Sequence, residues 1–514
     1  MLFNSEIFIL LFLPLSLIVF FLLGKFSPRA AILGIILFSL VFYGWFQPKN
    51  LWIVLFSLLA NYAIALEIHL ARELHLEKRW FYIGVFCNAL ILGYFKYTNF
   101  IINNLNIFGL EFQLKDIALP LAISFFTFQQ ISFLADVKRE KFSFPSFDQY
   151  IAFILFFPQL IAGPILRQKE FFPQLGRAEL YRPNLLNLSI GTTIFVFGLF
   201  KKTIFADFSA KIANPVFAAA EIGESLHFLK AWMGLLAFSF QIYFDFSGYS
   251  DMAVGLARMF NIVFPINFFS PYKAVNIIDF WRRWHISLSN FLKDHIYIPL
   301  GGNRKGILRR FGNLFITMLI GGLWHGASWT FVIWGALHGI FLAINHLWRA
   351  FRSETVHKFR VPFFLKRLNI FILVSLAWVF FRSATFSGSL NLFKGLFGFN
   401  GFVFPNTWMK FLHFTTLFTP KNFVTFMPPE QLMNGFNSRL GFLFFLMIVI
   451  WKLPNIYEWL SDYRPSLDAP VEPNFSNGKL LWSPNLTYLV VALMLWFISF
   501  LNLREGGEFI YFQF

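Results

Sequence analysis

The sequence predicts an all-α protein that threads a membrane many times, and three observations predict it. Of its 514 residues 57% are hydrophobic and only 13% are charged, about half the charged share of an ordinary soluble domain. Mean hydropathy is +0.61. Apolar runs repeatedly reach the roughly 20 residues that a membrane-crossing helix needs. They are continuous instead of alternating with period two, which selects helices over a barrel.

In chain order, the expected spans cover about 7–24, 30–46, 50–66, 81–95, 117–135, 149–166, 187–205, 227–244, 311–347, 365–382, 441–452 and 484–502, a dozen spanning or re-entrant helices. The N-terminus lacks a basic region and stays apolar through Leu23 without a small-residue cleavage site, so a retained first span is expected instead of a cleaved signal peptide. Lys25 and Arg29 follow that span, the next connection carries only Lys49, and the third carries Arg72, Lys78 and Arg79. This alternation places the N-terminus outside the cytoplasm and the basic loops inside.

As one straight helix the run Phe311–His346 would extend about 50 Å against about 30 Å of hydrocarbon. It has to bend, and Gly321-Gly322 is the expected weak point. Both flanks are basic, with Arg304, Lys305, Arg309 and Arg310 before and Arg349, Arg352 and Lys358 after. A hairpin that enters and returns fits, with His325 deep in the membrane near its turn. Residues 383–440 and 453–483 mix aromatics with Gly, Pro and Asn and read as extramembrane or interfacial connections within one integral membrane domain, 1–514. No internal repeat of the inverted-transporter kind is evident, and sequons such as Asn474-Phe475-Ser476 are too common to carry weight.

The formal net charge is +17. Its basic residues sit in short loops between apolar runs, where cytoplasmic orientation and attraction to anionic lipid account for them, so the bilayer and not nucleic acid is the expected partner. The single Cys87 allows no intrachain disulfide and no cysteine metal cluster, and is expected to pack within its apolar run. No metal site is expected.

Two stretches carry the chemistry: Trp281-Arg282-Arg283-Trp284-His285 and Gly322-Leu323-Trp324-His325-Gly326-Ala327-Ser328-Trp329. An ionisable group at membrane depth is costly and marks a functional site. Glycines around His325 and Ser328 leave room for a substrate, with Trp324 and Trp329 as walls. Out of water the neutral imidazole is favoured, and a neutral imidazole can accept a proton. The plainer reading is a histidine that bonds between helices. His285 precedes His325 by 40 residues and opens the amphipathic segment His285–Leu300; alone it serves equally as a helix-orienting group. Trp284 flanks it. His338 follows His325 by 13 positions, about 220° around an ideal helix, which turns it elsewhere.

Arg282 and Arg283 either meet a donor's phosphate or anchor at headgroup level. Arg304 and Lys305, in Gly301-Gly302-Asn303-Arg304-Lys305-Gly306, form a basic turn without Walker spacing that is also able to hold a diphosphate. Gln241, Asp245 and Asp251 end an apolar run. The two carboxylates either shuttle protons or, as the cost of an unpaired buried charge favours, pair with a basic or hydroxyl group. Their separation of six rules out a shared helical face.

Taken together, several stretches resemble the membrane-bound O-acyltransferase family, and within it the branch of the alginate O-acetyltransferase membrane component. They are Leu121–Gln130, Phe157–Pro164, Tyr243–Asp251, Phe280–Ser289, Tyr297–Gly302, Gly322–Trp329 and Phe509–Phe514, spread over most of the chain. The resemblance implies a many-helix ring around a central tunnel, with the donor reaching it from the cytoplasm and the acceptor from the other face. It implies that His325 is the catalytic residue and that His285 matches a second polar position, often Asn or Asp in other branches. It implies acyl transfer from a thioester, acetyl-CoA above all, to a hydroxyl of an exported polysaccharide, with no bound cofactor. It also implies an extracytoplasmic acetyltransferase partner whose serine can be the immediate acceptor, and a multi-pass place in the bacterial inner membrane. No serine lies in an elbow motif, which argues against an acyl-serine enzyme. Two alternatives stay open: a D-alanyl or other acyl transferase of the same family, and a proton-coupled transporter using His325, His285, Asp245 and Asp251 as a relay.

Overall fold

The computed structural model describes residues 1–73, 75–139, 143–161, 163–351, 361–409, 424–467, 481–503 and 509–510. Helices dominate because a chain in lipid has to satisfy its backbone N–H and C=O groups within each segment. Among the described residues six are long and apolar enough to cross a bilayer: Pro28–Phe46, Pro48–Leu70, Glu77–Ile107, Leu185–Glu221, Trp329–Ala350 and Phe363–Arg382. Phe8–Gly24 and Leu486–Leu501 are shorter apolar helices. Large apolar side chains such as Leu11, Ile18, Leu37, Phe86 and Leu493 face outward, a surface that lipid covers and water would not. The chain is therefore an integral membrane protein.

Helix starts follow from local chemistry. Ser27 accepts the Ala30 N–H at 3.0 Å ahead of Pro28, Asn184 accepts that of Asn187 at 3.0 Å, and Asn485 that of Tyr488 at 3.0 Å. At the centre of the fold lies the helix Phe228–Met259, buried along most of its length. The helix Leu185–Phe200 crosses it antiparallel on reciprocal glycines. A Cβ on Gly198 would stand 2.5 Å from the Gly248 carbonyl oxygen, one on Gly248 2.7 Å from that of Gly198, and Gly191 and Gly255 repeat the arrangement at 2.6 Å each way. Without side chains at these points, two backbones approach as small-residue faces do in membranes.

Several expectations change. The span at 227–244 runs on to Met259, 32 residues or about 48 Å. The span at 149–166 is broken: a helix Phe147–Leu155 stops at Phe156, and Pro158 sits in the short helix Phe157–Leu160 that follows. The span at 117–135 begins only at Ile123, after Pro120 and a left-handed Ala122. The run Phe311–His346 does fold back, but not at Gly321-Gly322. One helix continues through both glycines, Ile307–His325, and the next begins at Trp329. Those glycines serve packing: a Cβ on Gly322 would collide with the Phe331 carbonyl, and one on Gly335 with the Met318 carbonyl. Cys87 is exposed on the lipid-facing side of its helix instead of packing inside, because lipid is as apolar as a core. A parallel pair of short strands, Phe402–Pro405 with Val424–Met427, adds to an otherwise helical chain. The sequon at Asn474 lies outside the described residues.

Candidate functional site

His325 is the last residue of its helix and is 5% exposed. Its ring sits in an aromatic box, edge-on to Trp324 at 5.0 Å, Trp334 at 5.2 Å and Phe381 at 5.1 Å between centroids. His285, fully buried, stands 6.4 Å from it ring to ring. Trp324 joins the two, 6.0 Å from the His285 ring. The structure thus brings together the two histidines and Trp324 from segments 40 residues apart.

The His285 ring is fixed by one carboxamide. His285 adopts a left-handed backbone (φ 43°) ahead of the helix Ile286–Leu292. Asn267 Oδ1 lies 3.0 Å from its Nδ1 and also accepts the Ser287 hydroxyl at 2.9 Å and the Ser287 N–H at 3.3 Å. Asn267 Nδ2 donates to Ser250 Oγ at 3.2 Å, which sets the amide orientation. Nδ1 of His285 is therefore the donor, and the lone pair is on Nε2. Phe246 packs edge-on to the ring at 4.7 Å.

A cleft reaches His325, with Lys96, Ser124, Phe125 and Trp324 in its wall. Lys96 and Tyr97, which composition did not single out, hold the end of the His325 helix. Lys96 Nζ donates to the carbonyls of Trp324 at 2.5 Å and His325 at 3.1 Å, and Tyr97 OH to that of Leu323 at 2.6 Å. Both sit on the π-helical turn Gly93–Tyr97, a distortion common beside functional sites and invisible in hydropathy. Asn267 was equally missed; an asparagine in a loop has no pattern of its own.

Other sequence candidates separate from this centre. Trp329 is 57% exposed, and its indole donates to Asn104 Oδ1 at 2.8 Å; it does not wall the imidazole, because the turn at Gly326–Ser328 carries it outward. Ser328 Oγ accepts the Thr330 N–H at 3.2 Å and lies 2.8 Å from Thr330 Oγ1, a cap for the following helix. Trp284 packs on Trp378 at 4.9 Å, behind His285. His338 does not turn away: the helical-wheel argument fails once the chain folds back, and its ring sits 4.8 Å from Trp334, which contacts His325.

Asp245 and Asp251 are buried ion-pair partners. Asp245 pairs with Lys202 at 2.7 Å and accepts the Ile510 N–H at 2.9 Å, while Asp251 pairs with Lys201 at 2.5 Å and accepts the Tyr457 hydroxyl at 2.8 Å. Lys202 also holds Asp207 at 2.7 Å. Gln241 is buried with a carboxamide oxygen that accepts no hydrogen bond among the described residues. Arg283 pairs with Asp279 at 2.9 Å, and Arg282, Arg304 and Lys305 are exposed.

The family model for the membrane-bound O-acyltransferases matches residues 35–384. The chain is 44% identical over 430 residues to a peptidoglycan O-acetyltransferase of Helicobacter pylori, covering 78% of this chain and 80% of that protein. It is 37% identical to a probable alginate O-acetylase of Pseudomonas putida over the full length of both. A teichoic acid D-alanyltransferase of Streptococcus thermophilus is 29% identical over 53% of this chain and 69% of its own. Two histidines gathered at the end of a helical hairpin thus lie within a matched region that spans most of the sequence, and the chain belongs to the membrane-bound O-acyltransferase family, as an integral-membrane O-acyltransferase.

Proposed function

We propose that the protein moves an acetyl group from a cytoplasmic thioester, acetyl-CoA, to a hydroxyl on the far side of the bacterial inner membrane, the acceptor being an exported polysaccharide or the serine of an extracytoplasmic partner transferase. The observation that carries this reading is the imidazole of His325 at the wall of a cleft, backed by His285. Relatives named for O-acetylation of peptidoglycan and alginate, at 44% and 37% identity, favour acetyl over other acyl groups. The cleft is lined by Phe46, Gln47 and Leu119–Phe125, at the ends of segments that loop charge assigns to the non-cytoplasmic side; the acceptor therefore uses it, and the donor comes from the side of the basic loops carrying Arg282, Arg304 and Lys305.

In the reaction the acceptor oxygen attacks the thioester carbonyl as His325 takes its proton. The C–S bond breaks, and the proton passes from the imidazolium to the departing thiolate, leaving ester and thiol. Base catalysis of this kind contributes about 10²–10⁴-fold, with orientation adding more. Trp324, Trp334 and Phe381 exclude water around the ring, which protects the thioester from hydrolysis. Replacing His325 with Ala should stop transfer of labelled acetyl from acetyl-CoA in membranes containing the protein and its partner, with the protein still inserted and folded. Retained product acetylation in that variant removes the assignment.

A further inference from the structure

The last four carbonyls of any helix have no partner within it. In the His325 helix the Gly322 carbonyl takes the Gly326 N–H at 3.4 Å, and the remaining three are met from another helix. Tyr97 OH donates to Leu323, and Lys96 Nζ to Trp324 and to His325. Neighbouring residues can do this because the π-helical turn Gly93–Tyr97 is wider than an α turn and directs both side chains to the same helix end. Lys96 further reaches Ser124 Oγ at 3.4 Å. Among the described residues no carboxylate lies within ion-pair distance of it. A lysine in such apolar surroundings is costly unless something holds its charge, and here the negative end of the His325 helix does so. Lys96 also lines the cleft beside His325, where among the described residues it is the one formal charge.

We infer that Lys96 is a positioning residue for His325: its ammonium holds the backbone of the residue that carries the imidazole and thereby aims the ring into the cleft. The catalytic consequence rests on the proposed function, whereas the positioning does not. Tyr97 is the neutral counterpart one step earlier; it fastens the helix but not the residue that bears the ring. The charge matters because a cation against two carbonyls in a low-dielectric setting holds them more tightly than a neutral donor.

The test uses the full-length protein in lipid nanodiscs together with its extracytoplasmic partner transferase as acceptor, with acetyl-CoA as donor and thiol release as readout. Lys96→Met should lower kcat about 30–100-fold with the KM for acetyl-CoA within about twofold, the signature of a misaimed catalytic group. Lys96→Arg should return kcat to within about fivefold of the parent, and Tyr97→Phe should stay within about threefold. Backbone hydrogen exchange over Leu323–Ser328 should quicken in Lys96→Met and not in Lys96→Arg. An unchanged kcat in Lys96→Met, a loss that Arg does not restore, a rise in KM alone, or unaltered exchange would each overturn the inference. A parent protein that consumes no thioester removes the proposed function instead, and the exchange measurement still decides whether Lys96 holds His325.

Discussion

Asn267 meets three groups of the His285 turn through a single carboxamide oxygen, so its loss has a calculable effect. Asn267→Ala strands a buried ring N–H, a hydroxyl and a backbone N–H, costing about 1–3 kcal/mol, and lets the imidazole rotate. Thermal unfolding should shift down by several degrees and turnover should fall about 10–100-fold; intact turnover would show that His285 orientation is irrelevant. The tryptophans give a second contrast. Trp324→Ala opens the space between the two histidines and should cut turnover at least about tenfold. Trp329→Phe, which removes only an indole bond to Asn104 on the exposed side, should leave turnover within about twofold in the same assay. Sequence spacing marked His325, His285 and Trp324 because an ionisable residue between indoles in an apolar run is unusual. It could not separate Trp324 from Trp329, since a turn of three residues decides which indole faces the site, and it missed Lys96 and Asn267, whose partners are carbonyls and side chains distant in sequence.

Helices meet here through absent side chains. A methyl at Gly198 would stand within van der Waals overlap of the Gly248 carbonyl and the Met252 N–H, both backbone atoms of the buried central helix, so neither can move cheaply. Gly198→Ala should destabilise by about 1–3 kcal/mol, read as a lower melting temperature in detergent. Gly312, in the His325 helix, has open space within 4 Å of the point where a methyl would sit, and Gly312→Ala should hold or raise the melting temperature, by up to about 1 kcal/mol of helix propensity. Equal losses at both positions would mean that close packing is not what these glycines provide. The same distinction explains the hairpin: Gly321-Gly322 looked like a break on propensity alone, yet tertiary contact with Phe331 and Gly335 turns that flexibility into a close crossing, and the chain reverses at Gly326.

Across the whole molecule, two adjacent lysines on another π-helical turn, Lys201–Ala206, neutralise Asp251 and Asp245 of the central helix, and those carboxylates in turn accept from the Tyr457 hydroxyl and the Ile510 N–H. Lys202→Met would remove the cation that stands between Asp207 and Asp245 and should cost about 3–5 kcal/mol. Adding Asp207→Asn and Asp245→Asn should recover much of that loss; a triple variant as unstable as the single would show that charge balance is not the cause. Read along the chain alone, the residues are enough to establish a helical membrane protein, the approximate positions of its apolar runs, and the two histidines proposed for the chemistry. Hydropathy and the rarity of ionisable residues at membrane depth are properties of local composition. Folding was needed to show where the hairpin turns, which indole meets the imidazole, how Asp245 and Asp251 are neutralised and what grips the end of the His325 helix. Each of those depends on contacts between residues remote in the chain, for which local composition holds no record.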